Sequence, residues 1–439
     1  MKDDKTLMTN NDLPEMWRPE NLWVIFPVGG EAKRLKPLTA EVSKACVRFA
    51  NRPLIEFSLV HLARQGIKNF IFGVKGYLNY KSLHDYFKEG IDISSRYGIQ
   101  PRIHIKYQPN VDDVGSADSI RINMEYYDIT TPIFVVQGDS VFTVDIRDLI
   151  KYHLEKKAFM TIVLAQVDDV EGFGIAKLAP DGRIETFIEK PRRDQAPSNL
   201  ANTGIYLCNP EIREVFKEPE VVKMIERGRL DFGYDLIPYI IKSGRPVYGY
   251  IMKSKWHDVG TPPRYLAALL DVLNGKVEGL EDFEGRVSQD KNLWIQGQSP
   301  ESIRKREEIL EKYHKGNINL KGGVLIGRHC TIGNNVTIIN SCIDNYTIIE
   351  DNVYIENSAI MDRVKIGPGA IIKNSIIGRH VMIKSSLTNR TKILSTSVVS
   401  DEVVIEEGCT LIGAHVYPHI RTKPNKSYVH TILHTQDDA

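Results

Sequence analysis

The feature that most constrains the fold of this chain is a repeat in its last third. The tetrapeptide Asn-Ser-x-Ile begins at Asn340, Asn357 and Asn374, so its period is 17 residues. An α-helix has no such period, whereas three short strands per turn, stacked as a solenoid, place regularly spaced aliphatic residues inside. We therefore predict a parallel β solenoid over residues 323–420, with the Asn-Ser pairs in ladders at one corner. The aliphatic residues expected inside are Ile326, Ile332, Ile338, Ile343, Ile349, Ile355, Ile360, Ile366, Ile372, Ile377 and Ile383.

The repeat contains one irregularity. Thr396-Ser397-Val398-Val399 continues the motif 22 residues after Asn374, so about five residues are inserted near 387–391. We expect these residues to form an excursion from the solenoid wall. Residues 421–439 follow the last recognisable repeat and are expected to form a C-terminal tail.

Residues 21–280 have a different pattern, in which apolar strand-like runs alternate with amphipathic helix-like segments. Alternation of this kind predicts a mostly parallel sheet with helices on both faces. Gly174–Leu178 and Ile184–Glu189, joined at Asp181-Gly182, predict a β-hairpin. The other strands are expected at Trp23–Val28, Asn69–Val74, Ile103–Tyr107, Pro132–Val136, Met160–Val167 and Pro246–Met252. Helices are expected at Pro53–Gln65, Ser116–Tyr126, Leu149–Lys156 and Tyr234–Lys242.

Two further segments complete the expected organisation. Residues 1–20 are polar and are expected to form a flexible tail. Residues 281–322 are expected to link the two domains, with a helix that begins after the capping residue Ser299 and runs to His314.

Composition narrows the range of partners and compartments. The 57 Lys and Arg residues nearly balance the 56 Asp and Glu residues, which argues against a nucleic acid or a membrane surface as partner. No run approaches the roughly 18 apolar residues of a membrane span, and the N-terminus lacks the pattern of a signal peptide. Five cysteines without a Cys-x-x-Cys pair predict neither a disulfide framework nor a zinc site, so we expect a cytoplasmic protein.

A glycine pair follows the first predicted strand. Gly29 and Gly30 allow backbone N–H groups to approach an anion, and Arg34 and Lys44 add positive charge nearby. Alone, such a pair is as often an ordinary turn as a polyphosphate site. Gly138-Asp139 also follows a predicted strand, and a carboxylate at that place is a candidate Mg²⁺ ligand.

Residues 22–420 resemble the sugar-1-phosphate nucleotidyltransferases. The family motif Gly-Gly-x-Gly-Thr-Arg-Leu-x-Pro-Leu-Thr aligns with residues 29–39 without a gap, and Trp256 to Pro262 resembles the motif Trp-x-Asp-x-Gly-Thr-Pro. Ala32, Lys33 and Ser43 depart from the family pattern; Ala32 is expected to adopt a backbone conformation open to an L-residue. The resemblance implies a Rossmann-like α/β domain followed by a left-handed β-helix of hexapeptide repeats.

The resemblance also implies the chemistry: a hexose 1-phosphate attacks the α-phosphate of a nucleoside triphosphate, and pyrophosphate leaves. No general base is needed, so catalysis depends on positioning and on neutralising charge. Arg34 and Lys44 are the expected catalytic residues, and Mg²⁺ is expected on Asp139 and Asp258. Nucleotide contacts are expected from Gly29, Gly30, Gln108, Gly115, Ser116 and Gly138. Sugar-phosphate contacts are expected from Gly174, Glu189, Lys190 and Asn202.

Several alternatives remain open at this point. The Gln108 amide favours a pyrimidine base, hence a glucose-1-phosphate uridylyl- or thymidylyltransferase, over a mannose-1-phosphate guanylyltransferase or a glucose-1-phosphate adenylyltransferase. A catalytically silent regulatory or scaffold subunit would have the same architecture. A bifunctional enzyme would add acyl transfer in the solenoid, which contains His329, His380, His415 and His419. Otherwise the solenoid is expected to build a homo-oligomer.

Overall fold

The computed structural model describes residues 13–30, 32–280, 283–288 and 291–439. They form two compact units: the first is the described part of Met1–Gly30 with Ile55–Trp256, and the second is the described part of Glu31–Leu54 with His257–Ala439. The boundary thus differs from the one expected at residue 280. The segment that carries Arg34 and Lys44 groups with the solenoid.

A mixed sheet forms the centre of the first unit, and within the described residues it has nine strands. In chain order they are β1 (Trp23–Val28), β2 (Asn69–Val74), β3 (His104–Tyr107), β4 (Ile133–Val136), β5 (Met160–Gln166), β6 (Gly174–Leu178), β7 (Ile184–Glu189), β8 (Leu200–Cys208) and β9 (Val247–Ile251).

The parallel part of the sheet is the set β3-β2-β1-β4. Strand β8 runs antiparallel to β4, β5 and β6, and β6 and β7 form the predicted hairpin. Strand β9 is parallel to β5. Along β1, pairing with β4 stops at Ile25, whereas pairing with β2 continues to Val28. Pro27, which lacks an N–H group, lies in the second half of β1, where the strand pairs with β2 but no longer with β4.

Helices pack on this sheet; α4, for example, contacts β1 and β2. Asp145 caps α5, because its carboxylate accepts hydrogen bonds from the backbone N–H groups of Arg147 and Asp148. The helices are α1 (Leu54–Arg64), α2 (Tyr77–Phe87), α3 (Ile91–Tyr97), α4 (Ser116–Tyr126), α5 (Ile146–Glu155), α6 (Ile212–Val215), α7 (Pro219–Glu226) and α8 (Ile237–Lys242), the last preceded by a π-helical turn at Phe232–Leu236.

The N-terminal residues differ from the expected flexible tail. Residues 1–12 lie outside the described residues, as do Glu31 and positions 281, 282, 289 and 290. Leu13 and Trp17 are buried, and the Trp17 ring centroid lies 4.8 Å from that of His153. Residues 13–20 therefore pack on the first unit.

The second unit is the predicted solenoid, built from three parallel sheets, with helices α9 (Pro262–Leu273) and α10 (Pro300–His314). The first sheet contains Leu293–Ile295, Val324–Ile326, Cys342–Ile343, Ala359–Ile360, Ile376–Ile377, Val398–Val399, His415–Val416 and Ile432–Leu433. The second contains Ile318–Lys321, Val336–Ile339, Tyr354–Glu356, Ile371–Lys373, Lys392–Leu394, Thr410–Ile412 and Ser427–Val429. The third contains Thr331–Ile332, Ile348–Ile349, Lys365–Ile366, Met382–Ile383 and Val404–Ile405.

The solenoid interior confirms the sequence periodicity. All the aliphatic residues predicted to lie inside are at most 2% exposed and belong to one continuous core. At the corner, the Asn357 amide donates to Asn374 Oδ1 over 3.1 Å, and the Ser375 N–H donates to Ser358 Oγ over 3.1 Å. The excursion lies between Met382–Ile383 and Lys392–Leu394, as predicted.

The solenoid is longer at both ends than the sequence repeats indicated. Leu293–Ile295, in the expected linker, is the first strand of the first sheet and pairs with Val324–Ile326. Ser427–Val429 and Ile432–Leu433, in the expected C-terminal tail, pair with the preceding coil. Tyr428 and Leu433 are buried in the same core, so these end coils are held by packing although they lack the repeat motif.

Helix α10 begins after Ser299 and ends at His314, as predicted, and Ser299 with Ser302 forms a capping box. Across the residues that the structure describes, no helix combines the length and apolar character needed to cross a bilayer.

Candidate active-site residues

The glycine turn lies at the carboxyl end of β1, in the parallel part of the sheet. Gly29 and Gly30 are exposed. A Cβ atom on Gly29 would lie 3.0 Å from Lys75 Cβ, so a side chain here would crowd Lys75. The Lys75 ammonium donates to the Asp113 carbonyl over 2.8 Å. A cation that the motif analysis missed therefore stands beside the turn.

The Gly138-Asp139 turn lies at the carboxyl end of β4. A Cβ atom on Gly138 would lie 2.8 Å from Ile55 Cδ1, so close packing against α1 requires glycine. Asp139 is half-buried and directly precedes the short strand Ser140–Phe142. The first unit thus presents a carboxylate of the type that Mg²⁺ prefers at this edge.

The side chain of Gln108, which is expected to read the base, has internal hydrogen-bond partners. It is buried, and the amide nitrogen donates to the Asn110 carbonyl over 3.0 Å. The amide oxygen accepts from Ser119 Oγ at 2.6 Å and from Asn123 Nδ2 at 3.1 Å. These hydrogen bonds join the end of β3 to α4, and reading of the base by Gln108 stays a prediction.

Gly115 and Ser116 also make contacts inside the protein. A Cβ atom on Gly115 would overlap the Leu230 carbonyl oxygen. The Ser116 hydroxyl donates to Asp231 Oδ2 over 2.8 Å and accepts from the Phe232 N–H. Both residues brace the segment that carries Asp231, which the sequence analysis did not single out.

Glu189 and Lys190 lie together at the end of the hairpin. The Glu189 side chain is 13% exposed, and its Oε1 lies 3.5 Å from Lys190 Nζ. A Cβ atom on Gly174 would lie 2.5 Å from Glu189 Oε2, and one on Gly233 would overlap the same oxygen. Burial raises the pKa of Glu189, Lys190 opposes the rise and Asp231 adds to it. The two glycines therefore leave room for a carboxylate that little solvent reaches.

The half-exposed Lys190 ammonium also lies 5.2 Å from the centroid of the Tyr234 ring. A cation–π contact of this kind fixes the ammonium while one side remains open to an anion. Tyr234 was not identified from the sequence, because the run Asp231-Phe232-Gly233-Tyr234 has no recognisable motif.

Asn202 lies in β8 at an irregularity in its pairing with β5. Its amide nitrogen donates to the Tyr206 hydroxyl over 2.9 Å, and its oxygen accepts from the Gly204 N–H at 3.0 Å. Tyr206 in turn stacks on Phe232, with ring centroids 4.6 Å apart. The first unit thus links Asn202, through Tyr206 and Phe232, to the segment that carries Asp231 and Tyr234.

The second unit carries the expected catalytic cations. Arg34 is exposed on a short 3₁₀ turn, Lys33–Leu35. Ala32 precedes it with φ 46° and ψ 41°, in the left-handed region that favours glycine. The departure from the family motif therefore keeps a backbone conformation that favours glycine but that an L-residue can adopt.

Asp258 lies between two cations of the second unit. Its Oδ1 is 3.7 Å from Lys44 Nζ, and its Oδ2 accepts from Arg264 Nη1 at 2.9 Å. A Cβ atom on Gly260 would lie 2.6 Å from Oδ2, so glycine makes room for the carboxylate. Arg264 was missed from the sequence, because it lies in the first turn of α9, outside the motif.

Asp139 in the first unit and Asp258 in the second unit each offer carboxylate oxygens, the ligand type that Mg²⁺ prefers. Within the described ranges, no group of three or more His, Cys, Asp and Glu side chains forms a metal site built from protein alone.

The solenoid histidines make contacts of a structural kind. His329 stacks on Tyr346, with ring centroids 4.7 Å apart. His419 pairs with Glu41 over 3.0 Å and with Glu402 over 3.2 Å. Burial lowers the pKa of His415. These contacts give no support to an acyl-transfer site on the solenoid.

Comparison with known families gives two matches. Residues 24–275 match the family described as nucleotidyl transferase. Residues 311–411 match the domain described as the EIF2B subunit epsilon LbH domain. Together they span both units.

Curated relatives cover most of the chain. A UTP–glucose-1-phosphate uridylyltransferase from Synechocystis sp. is 29% identical over 349 residues, 76% of this chain and 81% of the relative. A glucose-1-phosphate adenylyltransferase from Desulforamulus reducens is 30% identical over 369 residues, 76% of this chain and 90% of the relative. Another from Desulfitobacterium hafniense is 29% identical over 352 residues, with 76% and 82% covered.

Proposed function

Since the chain belongs to the nucleotidyl transferase family and is a sugar-1-phosphate nucleotidyltransferase, we propose that it uses glucose 1-phosphate, Mg²⁺ and UTP to form UDP-glucose and pyrophosphate. The observation that carries the choice of sugar is that the curated relatives named above are all glucose-1-phosphate enzymes. UTP is taken from the uridylyltransferase relative. ATP is the second candidate, because the other two relatives are adenylyltransferases.

The proposed reaction is an in-line displacement. An oxygen of the sugar phosphate forms a bond to the α-phosphorus of the triphosphate, the bond from that phosphorus to the bridging oxygen breaks, and pyrophosphate leaves with the electron pair. The nucleophile is already ionised, so no proton is removed. The main obstacle is repulsion between two anions, which fixed positive charge reduces.

The roles follow from residue chemistry. The backbone N–H groups of Gly29 and Gly30, with Arg34 and Lys44, neutralise the triphosphate. Lys190 binds the sugar phosphate, and the Glu189 carboxylate accepts hydrogen bonds from sugar hydroxyl groups. Asp139 and Asp258 are the proposed Mg²⁺ ligands. Bound Mg²⁺ supplies Lewis-acid neutralisation of phosphate charge. Lys44 and Arg264 contact the two carboxylate oxygens of Asp258 and so orient this side chain.

The test is pyrophosphate release by the full-length protein across a matrix of triphosphates and hexose 1-phosphates, with the nucleotide sugar identified by mass spectrometry. We expect the highest kcat/KM with UTP and glucose 1-phosphate, and no release after EDTA. The Asp258→Asn variant is expected to lose at least about 100-fold in kcat. The matched control is Asp85→Asn, which changes an exposed carboxylate paired with Lys81. No release with any substrate pair would refute the proposal and favour a silent regulatory subunit.

Two further points belong to this proposal. We expect the enzyme to work in the cytoplasm, because its five cysteines form no Cys-x-x-Cys pair and a reducing compartment is the default for such a chain. It is also expected to form a homo-oligomer through the solenoid, whose third sheet exposes the apolar side chains of Ile348 and Met382. Light scattering of the full chain, compared with an Ile348→Asp variant, measures the mass directly.

A further inference from the structure

The segment Ala32–Leu54 carries Arg34 and Lys44, yet it belongs to the solenoid unit. It contains only short 3₁₀ turns and the two-residue strands Arg48–Phe49 and Arg52–Pro53. Such a segment has few backbone hydrogen bonds of its own, so its shape depends on what it is attached to.

One attachment is a buried ion pair. Arg48 Nε donates to Asp344 Oδ2 over 2.7 Å, and Arg48 Nη2 donates to Asp344 Oδ1 over 2.8 Å. The Asp344 side chain is 2% exposed and that of Arg48 is 16% exposed. A two-point pair of this kind fixes direction as well as distance. The Tyr265 hydroxyl of α9 also donates to the Arg48 carbonyl over 2.5 Å.

The turn after Phe49 is attached to the same coil. Asn51, at φ 67°, donates from its amide to the Ile343 carbonyl over 3.3 Å. The Cys342 thiol donates to Asn51 Oδ1 over 2.8 Å. Cys342 and Ile343 form one strand of the first sheet, so the turn lies against the solenoid strand that directly precedes Asp344.

The other end of the segment is attached several coils away. The buried Ser400 hydroxyl donates to the Pro37 carbonyl over 3.0 Å. His419 pairs with Glu41 over 3.0 Å at an exposed position one coil further on. The segment therefore runs along the solenoid from the coil of Asp344 to the coil of His419.

Asp344 and Ser400 occupy the same place in their coils. Asp344 follows Cys342–Ile343 and Ser400 follows Val398–Val399, strands that are three coils apart in the first sheet. We call Asp344 and Ser400 the two anchors of the segment. Stacked strands are spaced about 4.8 Å apart, so the anchors are separated by roughly 14 Å. A rigid wall thus holds the segment on both sides of Lys44.

We propose that the solenoid is the positioning element for the catalytic segment, with Asp344 and Ser400 as the positioning residues that set where Arg34 and Lys44 meet the triphosphate. The inference rests on the roles proposed above for Arg34 and Lys44. Neither anchor touches substrate; each acts through Ala32–Leu54. Displacement of a catalytic group by about 1 Å can cost about 100-fold in rate, so loss of an anchor is expected to affect turnover.

The test compares two buried serines of the solenoid. Ser400→Ala removes the hydrogen bond to Pro37. Ser375→Ala is the control, because the Ser375 hydroxyl donates to Lys373 within the solenoid over 2.8 Å. Asp344→Asn, which keeps shape but removes charge, is the second anchor variant. Steady-state kinetics are measured with each substrate varied, together with the thermal midpoint.

For Ser400→Ala we expect kcat/KM for the triphosphate to fall about threefold to tenfold, the effect of one hydrogen bond. The KM for the hexose 1-phosphate is expected to change less than about twofold, because Lys190 and Glu189 lie in the other unit. Asp344→Asn is expected to show the same split with a larger effect. Ser375→Ala should leave both kinetic constants unchanged at a similar thermal midpoint.

The possible outcomes distinguish a failure of the proposed function from a failure of the positioning role. An inactive wild-type protein refutes the function itself. An active wild type in which Ser400→Ala behaves like Ser375→Ala, or in which the KM values for the two substrates rise equally, refutes the positioning role alone.

Discussion

Lys190 combines an exposed charge with a fixed direction. Its ammonium is positioned by Glu189 and by the Tyr234 ring, and half of the side chain is accessible. An anion bound there would meet a cation whose conformational freedom is already reduced, which lowers the entropy cost of binding.

The first prediction concerns this charge. Lys190→Met keeps the aliphatic stem over Tyr234 and removes the ammonium. We expect KM for the hexose 1-phosphate to rise about 10-fold to 100-fold, the effect of one charge-assisted hydrogen bond. Steady-state kinetics with the sugar phosphate varied measures it. The control is Lys177→Met, which removes an exposed hairpin lysine paired with Glu185. Equal KM values for the two variants would contradict the role of Lys190.

The second prediction concerns the protonation of Glu189. Burial raises its pKa above the ordinary value of 4.5. The ionised form accepts hydrogen bonds from sugar hydroxyls, and it is lost as pH falls through the raised pKa. We therefore expect kcat/KM for the hexose 1-phosphate to decline on the acid side at a higher pH than an exposed glutamate would give.

The measurement is a pH profile of kcat/KM for wild type and Glu189→Gln. The variant should have lower activity and lack this acid limb, since its amide does not titrate. An unchanged acid limb in the variant would assign the titration to another group.

At the scale of elements, the solenoid is stabilised by repetition. Each coil contributes a few interior aliphatic side chains, and each buries them only against the neighbouring coils. Loss of one interior side chain therefore weakens the contacts on both sides.

The third prediction follows from this packing. Ile372→Ala, at a fully buried position in a middle coil, is expected to lower the free energy of unfolding by about 2–5 kcal/mol. Val429→Ala, at a position 52% exposed on the second sheet, is expected to change it by less than about 0.5 kcal/mol. Urea unfolding followed by circular dichroism measures both. Similar values would mean that Ile372 does not lie in the core.

At the scale of the molecule, residues 421–439 contribute to a packed structure. Tyr428, Leu433 and Ala439 belong to the solenoid core, although residues 421–439 lack the repeat motif. A short 3₁₀ turn, Gln436–Asp438, follows the strand Ile432–Leu433. Residues 421–439 thus add a further coil to the solenoid.

The fourth prediction tests that position. Deleting residues 421–439 is expected to lower the thermal unfolding midpoint and to promote aggregation, because it exposes interior residues such as Leu411 and Val416. Scanning calorimetry and light scattering of the full and shortened chains measure these effects. An unchanged midpoint would restore the interpretation of this segment as a tail.

Local pattern predicted much of the secondary structure. The strands Trp23–Val28 and Asn69–Val74, helix α4 and the Gly174–Glu189 hairpin begin and end where the sequence indicated. Helices α2 and α3 were missed; each buries only a short part of its length, Leu83 and Phe87 in α2 and Ile93 and Ser94 in α3. The interior residues of the solenoid were predicted one by one, since the same spacing of aliphatic residues recurs in each coil.

The candidate site was predicted less completely. Glu189, Lys190 and Asp258 have charged partners consistent with functional roles, whereas the Gln108 amide and the Ser116 hydroxyl are used in internal hydrogen bonds. Motifs identify residue types, but the partners of a buried amide depend on neighbours such as Asn123 and Asp231, which no motif contains. Arg264 and Tyr234 were missed for the same reason.

The sequence by itself determined the repeating solenoid, the α/β pattern before it and the family, because periodicity and motifs are local properties of the chain. Only the tertiary structure decided that Ala32–Leu54 belongs to the solenoid unit and that Tyr428, Leu433 and Ala439 lie in the solenoid core. The Arg48–Asp344 ion pair joins residues 296 positions apart, and such pairs form only when the whole chain has folded.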